Sequence, residues 1–228
     1  MLFFDPRYLL FVGPGIVLSL LASWYVRSTF RRFSEVGLHG GMTGAEMAEL
    51  VLRQAGVRDV RVEVTEGFLS DHYDPAQKVL RLSPDVFHGR SVSAAGVAAH
   101  EAGHAIQHAR GHALMALRQH LVWPARIGSQ LGLFVVMIGL ILHAVGLAWV
   151  GVFLFSAVFV FELVTLPVEI DASSRAKHEL VASGAVGREE AEGVSSVLRA
   201  AAFTYVAALI TTALQLLYFV SRIRDEDR

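Results

Sequence analysis

Long runs without a formal charge restrict this chain more than any motif does. Tyr8 to Val26 is 19 residues without one, and at about 1.5 Å of rise per residue it can cross the hydrocarbon core of a bilayer. Leu131 to Val168 extends over 38 residues with Glu162 as its only formally charged side chain. That is too long for one span and enough for two, joined by a tight turn around His143 to Gly146. Ala200 to Val220 is a further charge-free run, closed by Ser221, Arg222 and Arg224. In lipid every backbone polar group must be satisfied within the chain, so such runs fold as helices. The expectation is a mainly α membrane protein with four transmembrane helices.

Composition agrees: apolar residues make up 54%, charged residues 18%, and the mean hydropathy is +0.48. A net charge of −1 gives no case for nucleic-acid binding. The chain has no cysteine, which excludes disulfide frameworks and thiolate metal sites. A metal site must then draw on the ten histidines and on Asp or Glu.

The first run is not read as a signal peptide, because its basic residues (Arg27, Arg31, Arg32) follow it instead of preceding it. That order places the N-terminus outside. Of the 20 Lys and Arg residues, 12 lie between Arg27 and Arg126 and four between Asp171 and Arg199. Both large polar segments are therefore expected in the cytoplasm. The resulting organisation is an N-terminal transmembrane helix over 1–27 and a cytoplasmic segment with the active-site helix over 28–125. A transmembrane hairpin over 126–170, a cytoplasmic connector over 171–198, and a fourth transmembrane helix with the tail over 199–228 follow. The protein is expected in the cell membrane as a multi-pass protein.

The polar segment reads as a small α+β unit. Thr43-Gly44-Ala45-Glu46 is a capping box opening a helix to about Ala55. Val60, Val62 and Val64 alternate with polar residues as a half-buried strand, and Lys78 to Leu82 alternates again. Asp71-His72-Tyr73-Asp74-Pro75 reads as a turn. Ser91 or Ser93 caps a helix that continues past His108.

That helix carries His100-Glu101-Ala102-Gly103-His104, an HExxH motif. Residues four apart share a helix face about 6 Å apart along the axis, so two imidazoles can grip one zinc ion. Glu101 then leans toward the remaining coordination position, where it acts as general base on zinc-bound water. A third histidine in the HExxHxxGxxH manner fails, since position 107 is Gln and 110 is Arg. His108 lies on the ligand stripe but about another 6 Å along the axis. Glu169, directly after the third span and on the same side of the bilayer as His104, is the stronger third ligand. Asp171 and Glu162 are the other acidic candidates, Glu162 as an ionisable group inside a span.

The run His100 to His108, preceded by Asp71-His72-Tyr73-Asp74-Pro75 and followed by Leu166-Pro167-Val168-Glu169, resembles the YugP-type neutral zinc metallopeptidases of bacteria. The resemblance runs along nearly the whole chain. It implies zinc as cofactor, a gluzincin-like site with Glu169 as third ligand, and a zincin-like unit around the HExxH helix. One departure stands out. Gluzincins often place an aspartate four residues after that glutamate to orient a ligand histidine, and here the residue is Ser173. Asp171 is expected on the opposite face of a regular helix.

A zincin binds substrate along an exposed strand edge, and Lys78 to Leu82 is the strand expected to offer it. An oxyanion-stabilising group is expected among His72, Tyr73, Arg175, His178 and Tyr205. His112 and His120 fit an amphipathic helix running toward Trp123-Pro124, with no chemistry assigned. The function expected is that of a membrane-embedded zinc endopeptidase acting on a peptide or protein substrate at the cytoplasmic face. The alternatives are a non-catalytic zinc-binding scaffold and an intramembrane protease. The second fails because the stretch from Ser91 to Ala99 is too short for a span.

Overall fold

The computed structural model describes residues 6–67 and 70–227, so residues 1–5 of the expected first segment lie outside the described residues. The described chain is mostly helical with one small sheet. In order it contains α1 (Pro6–Ser34), α2 (Gly44–Gln54), β1 (Arg61–Val64), β2 (His72–Asp74), β3 (Val79–Leu82), α3 (Pro84–Phe87) and α4 (Val92–Ala109). Then come α5 (Ala113–Ile127), a π-helical turn (Gly128–Gly132), α6 (Leu133–Ile141), α7 (Val145–Ala182) and α8 (Arg188–Glu226). Two compact units are formed: residues 6–23, 116–167 and 203–227 make one, and residues 24–115 and 168–202 the other.

The first unit holds apolar helical segments. Pro6–Ser34, Ala113–Ile141, Val145–Ala182 and Arg188–Glu226 are long and apolar enough to cross a membrane. Only 17–33% of each most apolar window is buried in the protein, and Leu10, Leu20, Phe134, Phe153 and Leu163 stand exposed. A bilayer is the solvent that suits such a surface. Inside, Val136, Leu140, Ala148, Val152, Phe155 and Phe219 form the core. The helices of the hairpin approach closely because a small residue sits at the crossing: a Cβ on Gly151 would lie 2.3 Å from the Val136 backbone nitrogen. The second apolar helix begins at Ala113, earlier than the charge-free run at Leu131 suggested. Arg118, His120 and Arg126 break the run without ending the helix, and Pro124 is accommodated within α5.

In the second unit, local signals set the elements. Thr43 accepts from the Glu46 amide and Glu46 reaches back to Thr43, completing the capping box of α2. Ser91 caps α4 through the Ala94 amide. The sheet order is β1-β3-β2, with β1 parallel to β3 and β2 antiparallel to it. Two expectations are corrected here. His72 to Asp74 form a strand, because Asp74 starts the turn instead of lying within it: its Oδ1 accepts from the Ala76 and Gln77 amides at 2.9 and 3.0 Å. The strand from Lys78 to Leu82 is central, so β1 and β2 supply the edges. The connector over 171–198 is helical except at residues 183–187. Met47, Val51, Leu80, Leu82, Ala98, Ile106, Leu180 and Val194 fill the core of this unit.

Candidate metal centre

α4 is buried along most of its length, and its alanines and glycines let other backbones come near. At Gly103 an added Cβ would lie 2.5 Å from the Ala172 carbonyl oxygen of α7. That crossing sets His100 and His104, one turn apart on α4, beside Glu169 on α7. Their rings lie edge to face with centroids 4.8 Å apart.

Glu169 Oε2 is 3.1 Å from His100 Nε2 and 3.4 Å from His104 Nε2. One ligand atom from each residue lies within 4.8 Å of the others, the one such group of three or more among the described residues. Zinc held tetrahedrally by nitrogen and oxygen at about 2.0–2.2 Å separates its ligand atoms by about 3.4 Å. The donor chemistry and the spacing therefore fit zinc. Glu169 is 1% exposed, a burial that an unpaired carboxylate would not tolerate. Burial alone would push the His104 imidazole down, but its hydrogen bond with Glu169 and the charge of Glu101 hold it above the ordinary histidine value.

Each histidine is also held from behind. His100 Nδ1 lies 3.1 Å from Ser173 Oγ. His104 Nδ1 lies 3.0 Å from Gln107 Oε1, and Gln107 Nε2 donates to the Val168 carbonyl and to Asp171 Oδ2. Asp171 therefore does face α4, within an unbroken helix, which corrects the expectation that it points away. Arg175 Nε donates to the same Asp171 oxygen at 2.6 Å. Gln107 and His112 were missed as members of this network. The signal for Gln107 was a long polar side chain on an otherwise alanine-rich buried helix.

Glu101 follows His100 on α4 and is buried. Its charge is also felt by Asp71, whose carboxyl burial pushes up against the hydrogen bonds it accepts from Ser83. The remaining candidates lie elsewhere. His108 is outside the group of three and bonds the Tyr73 hydroxyl through Nδ1 at 2.8 Å. His72 donates from Nδ1 to the Ser70 carbonyl at 2.8 Å. His178 stands exposed beside Glu179. Glu162 belongs to the other unit, where it hydrogen-bonds Thr212, and Tyr205 also belongs to that unit.

Comparisons with known proteins bear on this arrangement. A family model described as "Putative neutral zinc metallopeptidase" matches residues 8–224. The chain is 44% identical over 203 residues to the "Putative membrane protease YugP" of Bacillus subtilis (strain 168), covering 89% of this chain and 90% of that protein. No solved structure matches.

Proposed function

The chain belongs to this family of zinc metallopeptidases, and from that premise we propose that it is a membrane-embedded endopeptidase with His100, His104 and Glu169 as zinc ligands and Glu101 as general base. Zinc is its cofactor, and it is a multi-pass membrane protein. The observation that carries the reading is the approach of two imidazole nitrogens to one carboxylate oxygen at 3.1 and 3.4 Å, all three within 4.8 Å of one another, with a buried glutamate next in sequence to His100.

Zinc, when bound, supplies a Lewis acid that polarises a carbonyl and lowers the pKa of water. The rest falls to the chain. His100, His104 and Glu169 are three protein ligands, which leaves an open position as catalytic sites do and structural sites do not. Glu101 takes the proton of the attacking water and returns it to the leaving amine. β2, an edge strand preceding α4, offers backbone groups on which an extended peptide can add as a strand. Together α4 and the sheet form a unit of the zincin kind. The excess of Lys and Arg between Arg27 and Arg126 supports a site at the cytoplasmic face.

The test uses detergent-solubilised full-length protein and casein. Wild type should cleave casein, and a zinc chelator should stop it. Glu101→Gln should retain wild-type zinc content and lose about 10²- to 10⁴-fold in turnover. Equal turnover in the variant would remove Glu101 from the mechanism. A zinc-loaded wild type that cleaves nothing would favour the scaffold.

A further inference from the structure

Gln107 is fully buried, and both ends of its amide are committed. Nε2 donates to the Val168 carbonyl at 2.9 Å and to Asp171 Oδ2 at 2.7 Å. Oε1 lies 3.0 Å from His104 Nδ1. Turning the amide over would aim its oxygen at a carbonyl and a carboxylate, so the orientation is fixed by its acceptors. An amide oxygen only accepts. His104 Nδ1 must therefore carry the hydrogen of that bond, and in a neutral imidazole Nε2 is left as a bare lone pair. Nε2 is the atom that faces Glu169 at 3.4 Å.

We propose that Gln107 and Asp171 form a positioning pair that locks His104 in the tautomer able to bind metal, and thereby sets the zinc affinity of the site. This rests on the reading of His104 as a ligand. Gln107 is the contact, and the Asp171 carboxylate and the Val168 carbonyl together set which way its amide points. Asp171 is fixed in turn: Arg175 Nε donates to Oδ2 at 2.6 Å, and His112 Nε2 lies 3.7 Å from the same oxygen. Ser173 plays the simpler part for His100 through one hydroxyl. The two ligand histidines are thus oriented by different chemistry. The hydroxyl can donate or accept and leaves the His100 tautomer open, whereas the clamped amide leaves His104 no choice.

A brace between α4 and α7 would need contact alone, but a tautomer lock needs the acceptors that hold the amide, and of these the Asp171 carboxylate is the one a substitution can remove. Asp171→Ala removes it, while Asp171→Asn keeps an oxygen that can accept from both Gln107 and Arg175. We measure zinc affinity by competition with a chelating dye, and the His104 tautomer by ¹⁵N chemical shifts in metal-free protein at alkaline pH. Asp171→Ala should lose about 10- to 100-fold in zinc affinity and populate both tautomers. Asp171→Asn should return both readouts toward wild type. Unchanged affinity or an unchanged tautomer in Asp171→Ala overturns the proposal, as does an Asp171→Asn variant no better than Asp171→Ala. Should Asp171→Ala fail to fold, wild type alone decides: a neutral His104 imidazole with its hydrogen on Nε2 and none on Nδ1 refutes the lock. His104→Ala separates the two levels. If it keeps zinc, the metal reading itself fails; if it loses zinc while Asp171→Ala does not, only the lock fails.

Discussion

One turn beyond His104, His108 commits Nδ1 to the Tyr73 hydroxyl at 2.8 Å. Burial, helped by the charges of Asp59 and Asp74, pushes the phenol up to about 12 from an ordinary 10.0. Below pH 10 the phenol is neutral in both folded and unfolded chains. Between pH 10 and 12 the unfolded chain releases its proton and the folded chain keeps it, so unfolding gains ground. The stability difference between wild type and Tyr73→Phe should therefore shrink across that window in denaturant titrations; a constant difference would show that Tyr73 does not titrate this way. At the residue scale the sequence disclosed what is local. His100, Glu101 and His104 are set by helical spacing alone. Glu169 needed the order of the spans and a resemblance. The part played by Gln107 was hidden, because its partners Val168 and Asp171 are 61 and 64 residues away and no spacing rule connects them.

The crossing of α4 and α7 is the element-scale feature on which the site depends. With only 2.5 Å between a Cβ placed on Gly103 and the Ala172 carbonyl oxygen, even one methyl group must push backbone against backbone. Gly103→Ala is expected to cost about 1–3 kcal/mol of stability and to weaken zinc binding, because Glu169 and the histidines sit on the two helices being parted. Thermal melts and zinc titration of the variant test this; wild-type values in both would show that the crossing has slack. The elements themselves were readable wherever a cap announced them, as at Thr43 and Ser91. β2 was not, because three residues are too few for alternation to register and Asp74-Pro75 looks like a turn. β3 was readable as a strand, but its central place was not, since pairing depends on β2. The early start of the second apolar helix was masked by Arg118 and Arg126.

For the molecule as a whole, zinc in the proposed site would tie together positions 69 residues apart, from His100 to Glu169. A ligand that binds only the folded chain stabilises it by about 2.7 kcal/mol at a hundredfold excess over its Kd. Chelation should therefore lower the melting temperature of the wild type, and Glu169→Ala should melt at one temperature with or without zinc. A zinc-dependent shift surviving in that variant would move the third ligand to another residue. The continuity of α7 from Val145 to Ala182 also fixes a timetable. A nascent chain exposes His100 and His104 while residue 169 is still untranslated, and two imidazoles alone make a poor zinc grip. With the proposed ligand set, a complete metal site would thus form only after the ribosome has delivered the third apolar helix.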